Sequence, residues 1–206
     1  MPYSDFTLDS VEQALGLSIR PGDLFPAIER VPVPAWVSDL LAIGRGSAAL
    51  VSEKARSEFL VVPILLAANE PHRGEMTIFS GQRLDVDPAR SLVGECDFIL
   101  AMTPPVPRLK APLITILEAK KGDIEAGLGQ CIAQAVAAQI FNGRSGEPGR
   151  PIFGCVTTGD DWQFFRLDGA DVTLDRSRYY LDNPDEILAI LRAILRLGIE
   201  AKKVPA

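Results

Sequence analysis

Apolar residues alternate with period two through the middle of the chain and recur every three to four residues on either side, and Gly and Pro punctuate the pattern into elements. Between residues 52 and 70 the run SEKARSEFLVVPILLAANE predicts a helix with Ser52 as its N-cap. That helix is half exposed at first, apolar on every side later, and kinked by Pro63. EMTIFSGQRLDVDP is strand-like around Ser80 and Gly81, and VGECDFILAM and LITILEAK are two more strands separated by the Pro-rich TPPVPRLKAP. The longest helix is expected over 123–142, with Ile124, Leu128, Cys131 and Ala135 on one face. After the loop GRSGEPGRP, IFGCVTTG and WQFFRL flank a DD turn as a second strand pair, and a further strand lies near Val172. Asn183 and Pro184 then open a helix that turns Ile187, Ile190, Leu191 and Ile194 inward. Residues 1–50 read differently, because Pro21, Pro26, Pro32 and Pro34 interrupt short helices at 10–15 and 35–43. They predict an arm packed on a single domain spanning 51–206. The element order is an α/β or α+β pattern without internal repeats.

Composition narrows the classes. The chain of 206 residues, 47% hydrophobic, is long enough to bury one core, and its net charge of −6 repels nucleic acid and anionic membranes over the surface as a whole. A polyanion therefore needs a local basic patch or a bound metal. Cys96, Cys131 and Cys155 form no CxxC pair and sit in apolar runs, as small core residues of a reducing cytosol do. MPYSDFTLDS has neither the basic nor the apolar region of a signal peptide, and the longest apolar run, 59–68, is too short to span a bilayer. A soluble, cytoplasmic protein with no membrane partner is expected.

One stretch breaks the apolar pattern. ILEAKKGD, residues 116–123, starts as a buried strand and then places Glu118, Lys120 and Lys121 where apolar residues should continue. Side chains alternate along a strand, so Glu118 and Lys120 share a face with Ile116 and Ile114. A hairpin symmetric about residues 107 and 108 sets Asp97 directly opposite Glu118, on that same face. Two carboxylates meeting beside an ammonium repel each other unless a cation lies between them, and oxygen ligands favour Mg²⁺ or Mn²⁺ over zinc. Such an ion polarises a phosphoryl oxygen and acidifies a bound water, which Lys120 would orient; the chemistry is phosphodiester hydrolysis. The same residues equally suit strand-end carboxylates paired with Lys120 and Lys121 at the surface, a nearly neutral arrangement.

GECDFIL followed by ILEAKKGD resembles the Asp…Glu-X-Lys signature of the PD-(D/E)XK nuclease superfamily. The likeness extends to the helix SEKARSEFLVVPIL upstream, to FSGQRLDVD, and to a helix with GQCIAQ downstream, over about residues 50–167. It is most similar to stand-alone bacterial relatives of the N-terminal nuclease domain of type I restriction subunits. The resemblance implies a restriction-endonuclease-like α/β fold, a central mixed sheet flanked by helices, and a Mg²⁺-dependent nuclease acting on DNA. It makes Asp97 and Glu118 metal ligands, the Ala119 carbonyl a further ligand and Lys120 the catalytic lysine. Many members bring an acid from the first helix. Glu53 and Glu58 would point about 140° apart on an α-helix, so one of them reaches the site. Both stripes are apolar and geometry does not choose; the resemblance selects Glu53, which also suits a first-turn acid complementing the helix dipole. Gln130 matches a helical glutamine of related nucleases that reaches substrate or metal-bound water. Gln134 lies one turn on, where relatives carry an acid or a tyrosine, and a solvated helix-former is the alternative for either.

For a nucleic-acid partner the local positive patch is expected from Arg108, Lys110, Lys120 and Lys121, with Lys121 in contact with substrate. A homodimer would suit double-strand cleavage and stays open. His72, the only histidine, reads as loop decoration, and GRGSAAL lacks the third glycine of a dinucleotide fingerprint. Trp162, Phe164 and Phe165 read as core rather than as a base-stacking platform. The rival to a nuclease is a non-catalytic module of the same fold, favoured by the acidic surface. Against it, burying the converging acids and lysine unpaired costs stability that such a module has no reason to spend.

Overall fold

The alternating segments assemble into one mixed seven-stranded sheet in the order β1-β7-β6-β5-β4-β3-β2. The strands are β1 (Ser18–Gly22), β2 (Thr77–Arg83), β3 (Glu95–Ala101), β4 (Leu113–Ala119), β5 (Ile152–Thr157), β6 (Asp161–Asp168) and β7 (Asp171–Tyr180). This structure is a computed structural model and describes residues 2–47 and 50–202. Ala48 and Ala49 of the GRGSAAL stretch lie outside the described residues. The chain has the expected α/β architecture, a mixed sheet with helices on both faces.

Helices α1 (Leu8–Leu15) and α5 (Ile124–Arg144) cover one face. The other carries α2 (Ala35–Ser47), α4 (Val62–Asn69) and α6 (Pro184–Lys202), with α3 (Glu53–Arg56) leading into α4. Strand β4 is buried along its whole length, and its parallel partner β5 demands a crossover, which α5 provides. Asp123 caps that helix by accepting from the Glu125 amide at 2.9 Å. Near its far end the Asn142 side chain accepts from the Leu113 amide and donates to the Leu113 carbonyl, both at 2.8 Å, so α5 is tied to the start of β4.

Residues 2–47 are woven into the body. Tyr3, Phe6 and Val11 enter the core beneath α5, Val37 and Leu41 enter the opposite core, and β1 pairs in parallel with β7 at the edge of the sheet. Strand β1 was not expected, because it carries Pro21 and its partner lies some 150 residues later. Pro21 stands at a sheet edge, where a missing N–H costs no interior ladder bond. Trp162, Phe164 and Phe165 are fully buried, as are the three unpaired cysteines. Among the described residues no helix is long and apolar enough to cross a membrane.

Candidate functional site

Strands β3 and β4 form an antiparallel hairpin in the register Phe98↔Leu117 and Ile99↔Ile116, which carried one step further sets Asp97 level with Glu118. This is the register of a loop symmetric about residues 107 and 108. The expected alternation fails at one residue. A bulge opposite Leu100 and Ala101 leaves Ile114 unpaired and turns it to the α6 side, while Ile116 keeps to the α5 side. Ile114 therefore does not share the face of Glu118 and Lys120.

Glu118 is 3% exposed. Its Oε1 accepts from Lys120 Nζ at 2.8 Å and from Gln130 Nε2, and its Oε2 accepts from Gln134 Nε2 at 2.9 Å. Gln130 Oε1 in turn accepts from Lys120 Nζ at 3.0 Å, closing a ring of carboxylate, ammonium and amide. The helix supplies both glutamines because positions four apart stack on one face, and Gln134 also donates to the Glu95 carbonyl at 3.3 Å. Of the pair, the sequence singled out Gln130 for the site; Gln134 is the deeper, fully buried and equally bound to Glu118.

Burial pushes the Glu118 carboxyl up to about 7, with the Asp97 charge adding to it and Lys120 and the amides opposing. Asp97 is raised as well. Burial is the main cause, the Ala119 amide and Lys120 pull the other way, and Glu53 and Glu95 add repulsion. Its Oδ2 accepts from the Ala119 amide at 2.7 Å, a bond across the open end of the hairpin. Burial alone would lower Lys120, but Glu118 overrides it, with Glu53 and Asp97 assisting, so its ammonium form is reinforced. The strand charges are thus mutually dependent, and acids outnumber the single ammonium facing them.

The helical acid stands in the first turn of a segment that changes pitch further on. Ser52 caps α3 by accepting from the Ala55 amide, but Ser57–Val61 is a π-helical turn before α4 begins. Pro63 stands in the first turn of α4, so its missing amide falls where the pitch changes. Glu53 and Glu58 both line one open cleft of 330 Å³, although the turn between them is α-helical, the Ser57 amide donating to the Glu53 carbonyl, and the π bond from the Val62 amide to the Ser57 carbonyl closes only beyond it. Glu58 is exposed and pairs with Lys54 at 3.8 Å, whereas Glu53 is half-buried and bears electrostatically on Asp97 and Lys120. The cleft walls also include Ser80, Gly81, Glu95, Asp97 and Ala119. Arg56 anchors the helix to the β5–β6 turn, donating to the Thr158 carbonyl at 2.9 Å and to Asp160 at 2.7 Å. That turn abuts the site strand, because the Lys120 amide donates to the Thr157 carbonyl at 2.7 Å.

Asp97, Glu118, Glu53 and the Ala119 carbonyl offer the oxygen chemistry of a hard divalent cation. They are not gathered into a finished cage: among the described residues no three His, Cys, Asp or Glu side chains converge as a metal-holding group. Both oxygens of Glu118 are already hydrogen-bonded.

Other expected contributors stand apart. Lys121 is exposed in the turn after β4, and Arg108 and Lys110 are exposed in the hairpin loop, so only Lys120 of the four basic candidates belongs to the site network. His72 lies beyond α4 in a short 3₁₀ turn, among the residues of a different hollow. No protein-family model matches the chain, and no curated protein is significantly similar to it.

Proposed function

We propose that the protein is a restriction-endonuclease-like nuclease of the PD-(D/E)XK type, dependent on Mg²⁺ or Mn²⁺, that hydrolyses phosphodiester bonds in DNA. The observation that carries this reading is the buried Glu118, bound to Lys120 and Gln130, level with Asp97 on the neighbouring strand and beside a cleft lined by Glu53. A carboxylate raised to about 7 by burial and a like charge is a group whose surroundings call for more positive charge than one lysine provides. Asp97, Glu118, Glu53 and the Ala119 carbonyl would hold the divalent ion, which when bound supplies Lewis acidity and a more acidic water.

The chain's own residues do the rest. Lys120, kept charged by Glu118 and held in place by Gln130, orients the water. The water oxygen bonds to phosphorus as the bond to the leaving oxygen breaks; the attacking water gives up a proton to solvent, and the leaving oxygen takes one from solvent. Lys121, exposed beside the site, is free to meet a backbone phosphate. We place this activity in the cytoplasm, whose reducing conditions suit three unpaired thiols.

A second reading, a non-catalytic module of the same fold, is favoured by one observation: Glu118 is saturated by Lys120, Gln130 and Gln134, so the ring is complete without a metal. Calorimetric titration with Mg²⁺ and Mn²⁺, run beside cleavage of single-stranded, duplex and branched DNA and of RNA, separates the two. For a nuclease, Asp97→Asn weakens metal binding and abolishes cleavage, while Lys120→Ala abolishes cleavage with metal still bound. An unmodified protein that neither binds metal nor cuts any substrate refutes the nuclease.

A further inference from the structure

Large apolar side chains at the surface are concentrated in one place. Of the seven exposed ones among the described residues, Leu40, Ile43, Val51, Phe59 and Leu66 all fall between α2 and α4; only Tyr180 and Leu197 lie elsewhere. Their exposures run from 42% to 67%. On α2, half-buried Trp36 and exposed Leu40 and Ile43 recur at helical spacing along a stripe about 100° round the helix from the buried Val37, Leu41 and Gly44. Facing it, Phe59 of the π turn and Leu66 of α4 are both exposed.

The two helices touch. A Cβ at Gly44 would stand 3.0 Å from the Phe59 carbonyl oxygen, so α2 lies backbone-close against the π turn. Trp36 and Leu66 then wall a common hollow of 440 Å³. The result is a continuous two-helix apolar face, and it adjoins the cleft, since Glu58 and Val62 beside Phe59 line that cleft.

We infer that this face is the two-fold interface of a homodimer. Three features select a second copy of this chain as the occupant. The first is size. Thirteen residues of α2 extend about 20 Å, and two packed helices are about 20 Å across, a projected footprint of about 400 Å². With side-chain relief and a charged rim this approaches the roughly 800 Å² that each partner buries in a standard interface.

The second is charge. The chain carries −6, so copies repel each other over most of the surface, but at this rim most charges are paired within the subunit: Lys54 with Glu58 at 3.8 Å, Arg73 with Glu70 at 3.3 Å, and Arg45 with Asp182 at 3.1 Å, leaving Asp39 of α2 as an exposed acid. A locally balanced face can meet itself, whereas a polyanion or an anionic membrane would require a basic excess. The third is shape. Two ridges from adjacent helices interlock with their own copy about a two-fold axis, as the helices of a four-helix layer do. The inference is independent of the nuclease reading; where both hold, the two clefts lie beside one interface.

Sedimentation equilibrium up to ~100 μM tests it, since interfaces of this size span micromolar to tighter affinities. The expected mass is twice 22.3 kDa. The double variant Leu40→Glu/Leu66→Glu should sediment as a folded monomer with unchanged circular dichroism, and Leu197→Glu should remain dimeric. A cross-link supplies a second measurement that does not depend on those variants folding. Cys96, Cys131 and Cys155 are each 0% exposed, so Leu40→Cys or Leu66→Cys introduces the one reactive surface thiol, and a short bismaleimide should join two chains through it. A monomeric unmodified protein, a dimer that survives the double substitution, or failure of both cysteine variants to cross-link overturns the proposal.

Discussion

Glu118→Gln isolates the electrostatic cost of the buried ring. The substitution keeps an oxygen for Lys120 and removes the charge that burial and Asp97 oppose. In the folded chain the carboxyl is raised from 4.5 to about 7. A raised folded-state pKa means that the folded state binds the proton more tightly than the unfolded chain between those two values, so stability declines as pH climbs through that window. The contribution is fully present below about 4.5 and fully lost above about 7. Each pKa unit is worth about 1.4 kcal/mol, so Glu118 lowers stability by about 3 kcal/mol across the window. The glutamine variant lacks this slope, while titrating groups remote from the ring cancel in the difference. Urea unfolding in a chelator at several values from pH 4.5 to pH 8, followed by circular dichroism, reads the effect. Relative to the unmodified protein, Glu118→Gln should gain stability steadily with pH, by about 3 kcal/mol from end to end. Parallel stability curves would refute the reasoning, because they would mean that Glu118 titrates alike in both states.

Gly127→Ala should disturb Lys120 from the opposite side: a Cβ there would lie 2.7 Å from Val156 and 3.0 Å from the Lys120 stem, an overpacking worth about 1–3 kcal/mol, and denaturant midpoints together with cleavage rates should both fall. Arg56→Ala removes the donor to the Thr158 carbonyl and to Asp160, which should cost about 1–2 kcal/mol and increase amide hydrogen exchange in α3 ahead of the sheet; unchanged exchange there would mean that Arg56 does not hold Glu53 in place.

The readable parts of the molecule were those in which local pattern and tertiary structure agree. Alternation placed β2 to β7, and the symmetry of one loop set the β3–β4 register, because a hairpin links residues near in sequence and fixes their pairing. The interrupted apolar run at Glu118 pointed to a buried ionic site for the same reason: a charge inside a fully buried strand needs partners, and positions four apart on the next helix can reach it. The failures share a different cause. Strand β1 is held by residues some 150 positions away and has no alternation of its own. The π turn at Ser57–Val61 depends on how the helix meets α2 and accommodates Pro63, and helical periodicity assumes the pitch that this turn changes. The bulge at Ile114 shifts a face by one residue, which no hydrophobic count detects in a strand apolar on both sides.

The ring around Glu118 also shows what a metal would have to accomplish. Lys120 and two amides already satisfy the carboxylate, so an arriving cation must redistribute these bonds rather than fill a waiting cage. The gain comes from the charges left over: Asp97 and Glu118 repel each other, Glu53 and Glu95 add to the field at Asp97, and one ammonium faces them all. A divalent ion cancels that excess, whereas another glutamine could not. The same excess would repel a nucleic-acid phosphate arriving without metal, on a chain that already carries −6. Metal and substrate should therefore bind with positive coupling, each neutralising what opposes the other. In a metal-independent module this coupling would vanish, and any DNA affinity would have to come from exposed groups such as Lys121, Arg108 and Lys110, with unchanged binding in a chelator.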